Sequence, residues 1–321
     1  MPEISHTQIT AYAADRVNLP HEDAVKHRGQ VNGLRDRLAS KIAANPGYGL
    51  VKSLHAGSVA KSTALKSVND LDLAVYVKAA EAPADDPELV PWLADRLFEA
   101  TTNMTRDQFE EQSHCVTVHY HGSGLDVDVV PVLYEGEDND IGYLIKKHTG
   151  DRLKTSTRLH LDFIASRRKV YGLQFLELIR LTKWWKRQIV NRVDPDFKFK
   201  SFMIELIWAH LADSGVPLSD YPTALEQFFG WIVKTGLEER VTFTDYTPSS
   251  SFPAAGTAAI EVLDPVNPEN NVASRYDTVG RNKIVEAAAS AYDALTDARF
   301  ATTKGRAVDD WQELLGPTFN G

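Results

Sequence analysis

Residues 54–77 read LHAGSVAKSTALKSVNDLDLAVYV, and this stretch determines how the rest of the chain is interpreted. It predicts a strand that ends at Gly57-Ser58, a short helical turn and a loop, and then a second strand that carries Asp70 and Asp72. Because side chains alternate along a strand, Asp70 and Asp72 share one face. The intervening positions face the core; they are Leu71, Leu73, Val75 and Val77.

Two neighbouring carboxylates repel each other unless a cation lies between them, and hard oxygen ligands suit Mg²⁺, which often takes further ligands from substrate phosphates. Upstream, Gly57 allows the backbone to approach a ligand closely. Ser58 adds a hydroxyl and the amides of a helix start, where phosphate binds well. The stretch therefore predicts a site for a nucleoside triphosphate and a metal ion.

A second acidic strand follows at residues 125–134, LDVDVVPVLY, where Asp126 and Asp128 share one face. Beside the Asp70 strand it would supply a third carboxylate, and three convergent carboxylates fit a two-metal clamp on an attacking hydroxyl and a leaving pyrophosphate. An Asp-x-Asp pair is in most sequences only two solvated carboxylates. The preceding Gly-Ser and the third acid favour the metal site.

Taken together, Gly57-Ser58, Asp70-Leu-Asp72 and Asp128-Val-Val-Pro131 resemble the signature of the polymerase-beta-type nucleotidyltransferases. Three downstream segments narrow the resemblance to the branch that holds cGAS, oligoadenylate synthase and the bacterial cGAS/DncV-like nucleotidyltransferases (CD-NTases): LIRLTKWWK (178–186), FKSFMIELI (199–207) and VLDPVNPENNVA (262–273). Further stretches, among them AADRVNLP, LHLDFIASR and WQELLGPTF, are similar to clade C (CdnC-like) of the CBASS anti-phage systems. The resemblance runs from about Ile9 to the C-terminus.

The resemblance implies an α+β, two-lobed polymerase-beta-type fold. We expect a nucleotidyltransferase core lobe over residues 1–159, with an N-terminal helix that braces both lobes. We expect a helical, oligoadenylate-synthase-like lobe over residues 160–321. No Ser/Gly-rich linker separates the halves.

The resemblance also implies site residues. Asp70, Asp72 and Asp128 are expected to be catalytic and to bind two Mg²⁺ ions, with Mn²⁺ as a substitute; Asp128 is preferred to Asp126 because it begins the family's Asp-x-x-Pro pattern. The expected nucleotide-binding residues are Gly57, Ser58, Lys183, Ser201, Asp264 and Asn271. By local pattern Lys183 lies at the edge of the apolar side of its helix, and Ser201 resembles an N-cap.

The implied activity is synthesis of a cyclic oligonucleotide second messenger, cyclic tri-AMP, from ATP in antiviral defence. A HORMA-domain regulatory protein and double-stranded DNA as co-activator are the implied partners. Two alternatives stay open: a nucleotidyltransferase that modifies a separate acceptor such as a tRNA end, a drug or a protein, and an inactive nucleotide-binding scaffold.

Composition limits the other possibilities. The chain of 321 residues carries a net charge of −9, which argues against nonspecific coating of nucleic acid. Basic clusters at residues 146–148 and 167–169 are compatible with DNA contact, although such clusters are more often ordinary solvated faces. If the second cluster contacts DNA, charge reversal there should abolish DNA stimulation and leave basal activity unharmed. The lone cysteine, Cys115, is expected to be a buried apolar residue. No window resembles a signal peptide or membrane span, so we expect a cytoplasmic protein with no membrane partner.

Overall fold

The computed structural model describes residues 4–44 and 49–321. The chain divides into two compact units, a sheet unit of Leu19–Phe163 and a helical unit that joins the chain up to Asn18 with Ile164–Gly321. The first residues therefore belong with the helical unit, whereas we expected them in the core lobe. The reason is specific packing: Ile9 is fully buried, and the Tyr12 hydroxyl donates to the Leu315 carbonyl at 2.8 Å.

The sheet unit contains a seven-stranded mixed sheet in the order β1-β2-β5-β4-β3, with β6 paired to β5 and β7 paired to β6. Only the β2–β5 pair is parallel within this sheet. The strands are β1 Leu50–Ala56, β2 Asp70–Lys78, β3 Phe109–Glu111, β4 Val116–Tyr120, β5 Leu125–Tyr134, β6 Gly142–Ile145 and β7 Arg152–Thr155.

Strand β5 tolerates a central proline because its second edge changes partner there. Strand β4 pairs with residues 125–129 and β6 with residues 132–133, so Pro131 lies between the two ladders. A proline has no N–H to give to a ladder, and such a gap is where a strand accepts one.

The core of the sheet unit lies on one face of the sheet, under α2 (His21–Ala43) and α4 (Leu89–Ala100). The alternation predicted for β2 is confirmed: Leu71, Leu73, Val75 and Val77 are all at most 3 % exposed. Helix α2 packs on α4, β1 and β2. Its bracing of both lobes stays a prediction.

The helical unit is built from α1 (His6–Tyr12, continued by a π-helical turn at Ala13–Val17), the end of α5, and five further helices. Helix α5 (Thr157–Tyr171) begins in the sheet unit. The others are α6 Leu173–Arg192, α7 Ser201–Asp213, α8 Tyr221–Thr235, α9 Thr278–Phe300 and α10 Lys304–Leu315. Trp208 of α7 is fully buried, stacks on Phe228 at 4.7 Å and donates to Thr182.

The predicted α+β class is confirmed. Within the described ranges, no helix is both long and apolar enough to cross a bilayer.

Candidate active site

Four carboxylates lie side by side on the sheet face opposite the core. In the parallel register of β2 and β5, Asp70 pairs with Asp126 and Asp72 pairs with Asp128. Register partners in parallel strands project to the same side, and adjacent strands lie about 4.8 Å apart. Asp70 is exposed and the other three are half-buried. The predicted meeting of Asp128 with Asp70 and Asp72 therefore occurs at the level of the backbone.

The Gly57-Ser58 turn abuts this acidic face. Strand β1 pairs antiparallel with β2, with Ala56 opposite Asp72, so the chain turns into the short helix α3 (Gly57–Ala60) directly beside Asp72. Gly57 has φ +66°, and a Cβ at this position would lie 1.6 Å from Oδ2 of Asp72. Only glycine meets both requirements, since any side chain would collide with the carboxylate.

Side chains of strand β4 contact the carboxylates of Asp126 and Asp128. Thr117 lies opposite Asp128 and donates its hydroxyl to Oδ1 at 2.6 Å, while His119 lies opposite Asp126 with Nδ1 2.7 Å from its Oδ1. Nε2 of His119 lies 3.3 Å from a Glu110 carboxylate oxygen. Each of the two carboxylates is thus engaged through one oxygen, and the preference for Asp128 as the metal ligand stays a prediction. Neither Thr117 nor His119 was predicted. The alternation in VTVHY could have indicated them, because it places these two polar side chains on the same face as the acids.

Whether these residues fit divalent metal ions depends on donor chemistry and on rotamers. Carboxylate oxygens are the donors that Mg²⁺ prefers, and register partners on adjacent strands place them within reach of shared ions. In the described part of the chain, no three His, Cys, Asp or Glu side chains are grouped so as to hold an ion as they stand. Asp72 is instead turned against Gly57 and Asp128 toward Thr117. The donor types fit a divalent metal ion, and rotation of the side chains would bring the carboxylates to a shared ion.

The acidic face influences two neighbouring groups. Burial, together with the negative charges of Asp128 and Asp72, raises the pKa of the Cys115 thiol to about 12. Cys115 is half-buried rather than buried as predicted, and its raised pKa keeps it a protonated, unreactive thiol. The hydrogen bond to Asp126 raises the pKa of His119, which Glu110 also raises.

Lys183 lies in the helical unit and is buried, not at a helix edge as its spacing suggested. It is 6 % exposed, and its ammonium donates to Oε1 of Glu205 at 2.7 Å. Glu205 is 2 % exposed and was not predicted. The sequence feature that could have indicated it is its position as the single charged residue in the apolar run MIELIWA of α7. Contact of Lys183 with a triphosphate stays a prediction.

Ser201 begins α7 rather than capping it. The cap position is Lys200, which makes no side-chain cap bond, and Ser201 is exposed in the first turn. The N-cap prediction is therefore wrong by one residue, because Lys200 still has extended backbone angles (φ −56°, ψ 132°). An exposed hydroxyl at a helix start remains suited to a phosphate contact.

Asp264 and Asn271 hold their own loop together, through Asx hydrogen bonds. Asp264 accepts from the Val266 amide at 2.9 Å and is 4 % exposed. Asn271 accepts from the Val262 and Ala273 amides at 3.1 and 2.9 Å. Both side chains shape the loop, and their contact with a nucleotide stays a prediction.

The expectation that residues 167–169 form a solvated basic face is wrong for Arg167. The residue is 6 % exposed, and its guanidinium donates to both Asp213 (2.7 Å) and Asp245 (2.8 Å). Arg168 and Lys169 are exposed. In the other cluster, Lys147 pairs with Glu111 at 2.9 Å.

The chain is similar to known proteins in both sequence and fold. The family model for the Second Messenger Oligonucleotide or Dinucleotide Synthetase (SMODS) domain matches residues 5–161. The chain is 43% identical over 320 residues to a cyclic AMP-AMP-AMP synthase of Escherichia coli (strain MS 115-1), covering 99% of this chain and 98% of that protein. It is 30% identical to the CBASS oligonucleotide cyclase CdnC of E. coli (strain KTE188), with 98% of each covered. Solved structures of E. coli MS115-1 CdnC, with ATP and in a HORMA-deltaN complex, match with a TM-score of 0.91 at 43% identity over 99% of both chains.

The fold and the acidic site define a nucleotidyltransferase of the cGAS/DncV-like class. More narrowly, the chain belongs to the CdnC family of CBASS oligonucleotide cyclases. As such it is an enzyme that makes a cyclic oligonucleotide, and nucleotidyltransferases of this kind typically use a divalent metal.

Proposed function

We propose that this enzyme joins three ATP molecules into cyclic AMP-AMP-AMP as a second messenger of anti-phage defence. The observation that carries the proposal is the register of β2 and β5, which places Asp72 beside Asp128, together with the close approach of Gly57 to Asp72. The product is proposed from the 43% identical relative, whose name states it.

Asp70, Asp72 and Asp128 are the proposed ligands of two Mg²⁺ ions, with Mn²⁺ as a substitute. Bound ions would make a ribose hydroxyl more acidic and neutralise charge on the leaving pyrophosphate. The chain itself contributes positioning: Thr117 fixes Asp128, and the glycine at position 57 lets phosphate and carboxylate approach the same turn. Ser58 supplies a half-buried hydroxyl at that turn.

Lys183 and Ser201 are the proposed nucleotide contacts from the helical unit. The ammonium of Lys183 is paired with the carboxylate of Glu205, and Ser201 offers an exposed hydroxyl. Asp264 and Asn271 are proposed nucleotide contacts as members of the loop that they hold together.

A HORMA-domain protein is the proposed regulatory partner, because a CdnC structure contains one. Double-stranded DNA as co-activator is proposed from the family resemblance alone. ATP as substrate is consistent with action in the cytoplasm.

The proposal is tested by incubating the purified chain with ATP and Mg²⁺, with and without the HORMA-domain protein, and analysing the phosphatase-treated products by mass spectrometry. We expect a phosphatase-resistant product with the mass of cyclic AMP-AMP-AMP and no need for another acceptor. Asp70→Asn combined with Asp72→Asn should remove it while the circular dichroism spectrum is unchanged.

Two outcomes would contradict the proposal. Turnover that begins only when a tRNA, a drug or a protein is added would indicate acceptor modification. Binding of ATP with no turnover under every condition would indicate a nucleotide-binding scaffold.

A further inference from the structure

A basic cavity lies within the helical unit, apart from the residues assigned above. It has a volume of about 490 Å³ and is bordered by the end of the α6–α7 loop and the start of α9. This volume lies within the range of small-molecule sites, which is about 300–1,000 Å³. Phe197, Phe199 and Tyr276 contribute aromatic surface to its wall.

The charge of the wall is opposite to that of the whole chain. Five cationic side chains and two carboxylates line the cavity, in a protein with net charge −9. The cationic residues are Lys186, Lys198, Lys200, Arg275 and Lys283. Such a local reversal of sign concentrates anions.

Part of this positive charge is already engaged by the protein. Lys283 pairs with Asp194 at 3.0 Å, and the Lys200 ammonium donates to the Val272 carbonyl at 2.8 Å. For Lys186, Lys198 and Arg275, no carboxylate partner is found anywhere in residues 4–44 and 49–321. Three cations at one cavity are therefore available to an external anion.

The cations also repel each other. Burial lowers the pKa of Lys186, and the charge of Lys183 lowers it further. Burial likewise lowers the pKa of Lys200, with an added contribution from Arg275. A polyanion in the cavity would relieve this repulsion, whereas a single carboxylate of a peptide would meet only part of it.

We propose that this cavity binds the polyphosphate chain of a small molecule, with Lys186, Lys198 and Arg275 as its contacts. A nucleoside triphosphate and free inorganic polyphosphate share this chemistry. The arginine provides a planar fork for phosphate oxygens, and the lysines act as point charges. The proposal of this polyphosphate site does not depend on which product the enzyme makes.

The test is a calorimetric titration of the full chain with ATP and, separately, with tripolyphosphate, in EDTA so that no divalent metal assists binding elsewhere. The variant is Lys198→Glu with Arg275→Glu, two exposed positions. Loss of two charge-assisted contacts should weaken binding of both ligands by at least about tenfold. The matched control is Arg168→Glu with Lys169→Glu, which makes the same charge change at exposed positions of the same unit and should leave affinity within about twofold.

A second measurement needs no variant. Tripolyphosphate should slow acylation of Lys186 and Lys198 in the wild-type chain, read by peptide mass spectrometry, while Lys169 serves as the internal reference. Where the Lys198→Glu/Arg275→Glu variant loses affinity for both ligands, tighter wild-type binding of ATP than of tripolyphosphate would identify a nucleotide as the occupant, and equal binding would identify the phosphate chain alone. Equal affinities in the variant and the control, absence of protection, or binding of polyglutamate in place of tripolyphosphate would each overturn the proposal.

Discussion

Asp72 and Asp128 lie opposite each other in register on parallel strands, yet their carboxylates are turned to different neighbours, Gly57 and Thr117. The backbone register thus brings the two residues side by side, while their carboxylate groups point to different neighbours. Binding of one divalent cation by both carboxylates would require their side chains to rotate. Gly57 and Thr117 therefore belong to one site with Asp72 and Asp128.

Gly57→Ala should abolish most of the activity. The new methyl group would lie 1.6 Å from Asp72 Oδ2, so the carboxylate must move, and φ +66° adds strain. Gly124→Ala is the matched control, because Gly124 has φ +65° but no atom within 4 Å of the added Cβ. Both should lose about 1–2 kcal/mol of stability from backbone strain, Gly57→Ala somewhat more because Asp72 must also shift, and only Gly57→Ala should lose turnover. Equal activity of the two variants would refute the close approach.

Lys183→Met should destabilise the fold by about 3–5 kcal/mol, since it leaves the buried Glu205 carboxylate without its ammonium partner. Lys183→Met combined with Glu205→Met should recover most of that loss, because two apolar side chains replace a buried ion pair. Urea denaturation measures the stability. If Lys183 also contacts the triphosphate, the stable double variant stays inactive; full activity in it would show that Lys183 is purely structural.

Charge reversal at Arg167 should destabilise the chain itself. Glutamate at this position would face Asp213 and Asp245 in a site where the side chain is 8 % exposed, at a cost of about 3 kcal/mol or more. Arg168→Glu with Lys169→Glu, on the exposed side, should leave the urea midpoint nearly unchanged. The exposed pair is therefore the correct variant for testing DNA stimulation, and an unchanged midpoint for Arg167→Glu would contradict the ion-pair network.

His119 should contribute pH-dependent stability. Its pKa is raised above the ordinary 6.5 by Asp126 and Glu110, so the contribution is fully present below pH 6.5 and is lost as the pH rises through the folded-state pKa. Asp126→Asn should return the imidazole midpoint toward 6.5 in an NMR titration. A midpoint that does not fall in this variant would show that the hydrogen bond is absent in solution.

Local patterns predicted the parts of the site that local rules control. The alternation around Asp70 and Asp128 gave the correct faces, because burial of one face fixes the phase of a strand. The pairing of β2 with β5 followed only from the family resemblance, since nothing in a single strand names its neighbour.

The helical unit was harder to predict for the same reason. Lys183 and Glu205 are 22 residues apart on different helices, so their burial depends on packing that helical spacing does not contain. Arg167 was misread as surface because its partners, Asp213 and Asp245, are also distant in sequence. Asp264 and Asn271 are the opposite case, because their hydrogen bonds are short-range and stay within one loop.

The central claim is that Asp70, Asp72 and Asp128 bind divalent ions, and Mn²⁺ binding measured by electron paramagnetic resonance, with a non-hydrolysable ATP analogue present, tests it most directly. Asp126→Asn is the matched control, because it removes a neighbouring carboxylate that His119 already holds. We predict about two bound ions per chain in the wild type and in the control, and loss of binding in Asp128→Asn and in Asp70→Asn combined with Asp72→Asn. Wild-type binding in these variants, or equal loss in Asp126→Asn, would contradict the account.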